Sequence, residues 1–230
     1  YNEKTAKGYA DISLFTAKPS IIADVRIIFM RLCGHVQCVQ NLHHLVIAPD
    51  ELKTVLLQYI ERERCAALNH KPARIIAKMN SLSHPLLIDA LYRASQAGVR
   101  IDLNVRGICM LIPGQRGISD NVCVVSIIDR YLEHSRIFYF ENGGNPEWYL
   151  SSADWMPRNL ERRVELLFPV LDKQNQKLLE YFFSMYFADN VKAFEMQPDG
   201  SWHRKTLQQG QQAVRVQEAL HRFFESQTAD

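Results

Sequence analysis

The sequence predicts an α/β fold built on a mixed, mostly parallel sheet flanked by helices, and three observations carry that expectation. Short apolar runs rich in branched residues, such as Arg74–Met79 (RIIAKM) and Val122–Ile128 (VCVVSII), have the length and composition of buried strands. Segments with helical apolar spacing alternate with these runs and are joined to them by short links. The composition, 47% hydrophobic and 23% charged over 230 residues, is that of a globular chain with room for one full core and part of another.

Ile21–Leu32 has helical apolar spacing and is followed by Gly34, a helix stop. His43–Ala48 (HHLVIA) reads as a short strand. Pro49-Asp50 then opens a helix to Ala67, with Asp50 as its N-cap. Arg74–Met79 is a strand, Asn80-Ser81-Leu82-Ser83 turns, and His84-Pro85 leads a helix to Ala97, closed by Gly98. Val99–Val105 alternates as a strand and ends at Arg106-Gly107. The second half is more mixed. Val122–Ile128, Ile137–Glu141, Trp148–Leu150 and Val164–Phe168 read as strands, Gly143-Gly144 as a turn, and Lys173–Phe187 and Gln211–Glu225 as helices. Phe182, Phe183, Tyr186 and Phe187 sit at helical spacing and are core candidates, while Phe138, Tyr139 and Phe140 read as core and strand surface rather than a stacking platform. Trp155 is read either as a cleft wall or as packing. Residues 1–42 fit the alternation poorly and read as the C-terminal remnant of a preceding domain, with residues 43–230 forming a second one. The opening Tyr1–Lys7 reads as the interior of a longer chain.

The net charge is +2, so any polyanion site must be a local cluster of cations, and nothing global points to nucleic acid. No apolar run has the length of a membrane span. Cys33, Cys38, Cys65, Cys109 and Cys123 lack paired metal spacing. Cys33 and Cys38 with His35, His43 and His44 form a weak zinc pattern, and reduced thiols are the preferred reading.

The chemistry gathers between Asp129 and Glu165. His134 is followed by Arg136, then by aromatic strand residues, the small-residue segment Ser151-Ser152-Ala153-Asp154, and the charges Arg158, Glu161, Arg162, Arg163 and Glu165. Phosphoryl transfer asks for such a set, a nitrogen that exchanges a proton or a phosphoryl group and fixed cations for phosphate oxygens. Lys78, Asn80, Arg106 and Glu141 fall at predicted strand ends, where α/β sheets gather ligands. Arg163 and Glu165 alternate onto one strand face, which suggests a buried pair that orients the guanidinium. No G-x-x-x-x-G-K-[ST] loop is present. An offset of 154 superposes Lys4 on Arg158, Tyr9 on Arg163, Asp11 on Glu165 and Leu14 on Phe168, the mark of a duplicated unit.

The segments YNEKTAKGYADISLFT, LNVRGICMLIPG, GISDNVCVVSIIDRYLEHSRIFYFENGG and YLSSADWMPRNLERRVELLFP, with the late VKA at 191–193, together resemble the C-terminal part of bacterial polyphosphate kinases of the long, histidine-phosphorylating type. The resemblance implies a phospholipase D-like fold with two similar halves sharing one cleft. It also implies reversible transfer of the ATP γ-phosphate to polyphosphate through a phosphohistidine. The phosphorylated histidine of the family lies upstream of Tyr1, and none of the eight histidines here occupies its motif, so this chain by itself is expected to be inactive. Carried over residue by residue, Tyr9, Arg106 and His134 match ATP-site positions, and Arg163 and Glu165 match polar residues of the same site. Lys78, Asn80, Arg136 and Arg158 are candidates for polyphosphate contact. The resemblance further implies ATP or ADP as substrate, Mg²⁺ as cofactor, a homo-oligomer, and a location in the cytoplasm or peripheral at the inner membrane. The family's metal-associated positions lie largely upstream, which leaves a metal role for Glu165 open and assigns no other ligand.

Two other functions compete. A phospholipase D-like phosphodiesterase expects H-x-K-x4-D, but here Arg136 replaces the lysine and Glu141 stands at the aspartate position. The other alternative is a polyanion-binding module without catalysis.

Overall fold

The structure, a computed structural model, describes residues 2–34 and 41–227. The elements in chain order are α1 (Glu3–Ala6), β1 (Tyr9–Ala10), α2 (Pro19–Leu32), β2 (Val46–Ala48), α3 (Leu52–Leu68), β3 (Arg74–Met79), α4 (Pro85–Gln96), β4 (Arg100–Val105) and β5 (Val122–Ile127). They continue with β6 (Leu132–Glu133), β7 (Arg136–Phe140), β8 (Glu147–Ser151), α5 (Pro157–Glu161), β9 (Glu165–Pro169), α6 (Lys173–Ala188), β10 (Ala193–Met196), β11 (Trp202–Arg204) and α7 (Val216–Gln227).

Nine strands form one sheet in the order β11-β10-β5-β4-β3-β7-β8-β9-β2. The α/β class and the flanking helices are as expected, but the sheet is not mostly parallel. Only β3–β4 and β4–β5 run parallel. Those strands are linked through α4 and a long loop, whereas β7 turns directly back into β8, and β8 returns as β9 through a loop that carries the short α5, so both pairs are antiparallel. The β7–β8 reversal uses Gly143 at φ 62° and Gly144 at φ 97°, backbone conformations that suit glycine.

Strand alternation sends side chains to two helical layers. Ile75, Ala77 and Met79 of β3 face α3 and α4 and pack with Leu56, Ile60, Leu87 and Leu91. On the opposite face Ile76 and Ile137 pack with Leu179, Phe182, Phe183 and Tyr186 of α6. Burying each such aliphatic side chain contributes roughly 1.5–3 kcal/mol. The aromatic residues assigned to the core from helical spacing are therefore core, with Phe187 at its margin. Trp155 is fully buried against Phe138, ring centroids 5.2 Å apart, so it packs and does not wall a cleft.

Three boundaries move. The strand expected over 43–48 shrinks to β2, because the N–H groups of His43, His44 and Leu45 all donate to the buried Asp24 carboxylate of α2. Burial raises the Asp24 pKa, but these three donors outweigh it and hold the carboxyl below its ordinary range. Asp50 is not the cap of α3; Glu51 holds the N-cap position and makes no side-chain cap bond. The terminal helix begins at Val216, whose N–H donates to Asp189 at 2.8 Å. Ile21 and Ile28 of α2 pack on Leu45 and Ile47, so the N-terminal segment covers the β2–β9 edge. Among the described residues no helix is long and apolar enough to cross a membrane. Cys38 and His35 lie outside the described residues.

Candidate functional site

β4 and β5 run parallel to β3, β7 is antiparallel to it, and β8 reverses again. The carboxyl ends of β3, β4 and β8 and the start of β7 therefore meet at one sheet edge. Asn80, Arg106 and Asp154 follow the first three strands, and Arg136 opens the fourth. The loops behind them are tied together, with Leu82 bridging to both Cys109 and Trp155. Gly107 allows the closest approach: its N–H donates to the Asn80 carbonyl at 2.7 Å, and an added Cβ would stand 2.9 Å from that oxygen.

Asp154 is the hub of this edge. Its carboxylate accepts both Nε and NH2 of Arg136 at 3.2 Å and the backbone N–H of Asn80 at 2.8 Å. Arg106 Nε donates to Asn80 Oδ1 at 3.0 Å. Among the described residues the terminal nitrogens of Arg106 make no hydrogen bond, and the guanidinium is half-buried at the edge. Arg136 NH1 donates to the His134 carbonyl at 2.8 Å and lies 3.2 Å from its Nε2.

The N-terminal segment completes the cluster. β1 pairs parallel with β6, placing Tyr9 beside Leu132 and Ala10 beside Glu133. The His134 N–H donates to the Ala10 carbonyl at 2.9 Å. Asp11 Oδ2 lies 2.8 Å from His134 Nδ1, and the Tyr9 ring meets the imidazole edge-on at 5.2 Å. A carboxylate only accepts, so in this contact the imidazole donates from Nδ1 to Asp11, which leaves Nε2 facing Arg136.

The structure thus brings together Tyr9, Asn80, Arg106, His134 and Arg136. Asp11 and Asp154 were not singled out as site residues. Each left a signal: Asp11 superposes on Glu165 at the offset of 154, and Asp154 ends the small-residue segment. The two superposed segments take different places, since β1 pairs outside the nine-stranded sheet and β9 within it.

The remaining candidates sit apart. Lys78 is 1% exposed and faces α6; its ammonium donates to Ser135 O at 3.1 Å and Ser135 Oγ at 2.9 Å and pairs with Glu133 at 3.3 Å. All three donors are used, so as placed it offers nothing to polyphosphate. The reason is strand alternation, which sends residue 78 to the face opposite Met79. Glu141 lies at the far edge, because β7 runs antiparallel to β3; there it accepts from the Tyr139 hydroxyl. Arg158 is exposed on α5. Arg163 and Glu165 do pair, Nε to Oε1 at 3.2 Å, with the carboxylate buried and also bonded to Asn159, but the Arg163 side chain is 55% exposed. Among the described residues this pair makes no hydrogen bond to His134 or Arg136; it is joined to the Asp154 segment through Ser151 and Ser152, which both bond Leu166.

The fold and the edge define a three-layer α/β domain whose sheet carries a histidine between carboxylate and guanidinium partners. A polyphosphate kinase of Rhodopirellula baltica is 47% identical over 230 residues, all of this chain and 27% of that protein. One from Thermosynechococcus vestitus is 48% identical over 205 residues, 89% of this chain and 28% of that protein. The crystal structure of polyphosphate kinase from Porphyromonas gingivalis superposes with a TM-score of 0.87 at 37% identity, covering 92% of this chain and 32% of that one. Residues 45–217 match the family model described as polyphosphate kinase C-terminal domain 2, and the chain belongs to that family. It spans less than a third of the length of these two curated relatives.

Proposed function

We propose that this region is part of the catalytic apparatus of a polyphosphate kinase, a protein that passes the ATP γ-phosphate reversibly to inorganic polyphosphate through a phosphohistidine supplied by another part of the longer chain. The observation that carries the reading is the continuous set Asp11–His134–Arg136–Asp154 at one sheet edge, in a chain of this family. With Nδ1 held by Asp11, His134 exchanges a proton with the leaving or attacking phosphate oxygen at Nε2. Arg136 holds a fixed positive charge beside that atom, and Arg106 presents a planar guanidinium fork that matches phosphate oxygens. Tyr9, edge-on to the imidazole, packs against the nucleotide.

The carboxylates of the cluster are engaged, Asp11 by His134 and Asp154 by Arg136 and Asn80, and the separate Glu165 is held by Arg163 and Asn159. Among the described residues no group of three or more metal-ligating side chains is gathered. Magnesium seeks about six oxygen ligands, so this donor set does not fit the ion. The phosphodiesterase reading loses its aspartate substitute, since Glu141 lies at the opposite edge.

The test is ATP-dependent polyphosphate synthesis by the full-length protein, beside hydrolysis of a chromogenic phosphodiester. His134→Gln is expected to lower synthesis by about 10²-fold or more with an unchanged melting temperature. Near-normal synthesis by that variant, or diester hydrolysis by the wild type, would sink the assignment. The 230-residue chain alone is expected to form neither phosphohistidine nor polyphosphate.

A further inference from the structure

The residues on either side of His134 are held from beneath by one buried ion pair. Lys78 reaches Ser135 through both its carbonyl and its hydroxyl, and reaches Glu133 on the other flank. Glu133 is 2% exposed and takes two further donors, the Tyr186 hydroxyl of α6 at 2.9 Å and Gln217 Nε2 of α7 at 2.7 Å. The Lys78 ammonium also lies 5.1 Å from the centre of the Tyr186 ring. From the outer side the same segment is tied to β1, through the N–H of Leu132 to Gly8 and the N–H of His134 to Ala10. The strap 132–135 is thus fastened on both sides, and the imidazole between them meets Asp11 and Arg136 of the edge cluster.

We propose that Lys78, with Glu133, is a positioning residue for His134: the pair sets the height and direction of the imidazole against Asp11 and Arg136 and makes no contact with substrate.

Two features argue for this over simple packing. A buried lysine–glutamate pair is an expensive way to fill a core, since well-packed apolar residues of similar volume do as well or better for stability. Here the pair replaces what would otherwise be an apolar contact between β3 and α6, directly behind the histidine. Among the described residues the Lys78 ammonium also bonds residues 133 and 135 and nothing else on the sheet, while Glu133 anchors the same strap to α6 and α7. Burial pulls the Lys78 ammonium below its ordinary value, with Glu133 opposing, while burial and Glu133 together raise the Tyr186 phenol well above its own, so Tyr186 remains an O–H donor. A cavity of about 510 Å³ opens beside the strap, lined in part by Asp11, Glu133, Ser135 and Tyr186. The strap therefore has room to shift once the pair is removed.

The inference rests on the kinase reading above, and the experiment separates the two. In the full-length protein, Lys78→Met alone leaves Glu133 buried and unpaired and can fail to fold. The informative variant is Lys78→Met with Glu133→Gln, which removes both charges and keeps partners for Tyr186 and Gln217. Melting temperature, kcat and KM for ATP and for polyphosphate are measured, together with a crystal structure of the variant. The expected result is a folded protein with kcat lower by about 10²-fold, the cost of misplacing a catalytic group by roughly 1 Å, with KM changed less than about threefold and His134 displaced from Asp11. A folded double variant with wild-type kcat and an unmoved His134 overturns the proposal. So does a rise in KM for polyphosphate at unchanged kcat, the mark of direct phosphate contact. If the wild type makes no polyphosphate, the kinase reading fails instead, and the His134 displacement in the crystal structure still decides the positioning claim.

Discussion

Replacing Asp154 by alanine removes the hub of the edge cluster, and its cost follows from the geometry. The Arg136 guanidinium loses its two bonds to a carboxylate, with both side chains only 11% exposed, and the Asn80 N–H loses its acceptor. Breaking one side of a buried ion pair costs about 3–5 kcal/mol, and an orphaned backbone donor about 1–3 kcal/mol. Residual exposure and the retained Arg136 contact to the His134 carbonyl relieve part of this, leaving about 3–4 kcal/mol. For a chain of this size each kcal/mol moves the melting midpoint by roughly 2–4 °C, so Asp154→Ala should melt about 6–16 °C lower. Asp154→Asn keeps an acceptor for Asn80 and should lose about half as much. The assay is thermal unfolding followed by circular dichroism, with ATP affinity of the full-length protein measured alongside. An Asp154→Ala variant that melts within about 2 °C of wild type would refute the claim that this carboxylate holds the edge together.

Two further outcomes are expected. Arg106→Lys keeps the charge but loses the planar fork and the Nε bond to Asn80, so ATP affinity in the full-length protein should fall by about tenfold, read by calorimetric titration; unchanged affinity would count against phosphate binding at this residue. The Asp24 carboxyl is held below its unfolded value by three backbone donors, so its contribution is complete above the unfolded pKa of about 3.9 and is lost as the pH falls through the lower folded value. Asp24→Asn should therefore be less stable than wild type at pH 7 by about 1–3 kcal/mol, with the gap closing below pH 4 in urea melts; a gap independent of pH would contradict the assigned role.

Most of the fold was legible as elements. β3, α4, β4, β5, β7, β8 and α6 lie within two residues of their expected bounds, because buried strands and amphipathic helices carry their period in the order of residues. The alternation of strands and helices suggests parallel sense, but β7 turns directly into β8, and β8 returns antiparallel as β9 around the short α5. The expected strand at 43–45 gave way to Asp24, a carboxylate about twenty residues upstream that no local pattern links to those amides. The short β1 and β6 went unseen because two-residue strands carry no period.

Residue order by itself determined which groups are available: the apolar periods that make three layers, the His134–Arg136 pair two residues apart, Arg106 before a glycine that permits close approach, and the motifs that carry the family. It also pointed to the Arg163–Glu165 pair, though Arg163 lies ahead of β9 and its side chain is 55% exposed rather than buried. What only the tertiary structure decided is who meets whom. Lys78 and Asn80 are two residues apart, yet one is buried beneath α6 and the other joins the edge cluster. Asp11 and Asp154 flank His134 and Arg136 from 123 and 18 residues away. The physical reason is that strand sense and side-chain alternation select the edge and the face on which each group emerges. Sense is set by pairing between strands, a long-range choice that the local sequence of either strand does not contain.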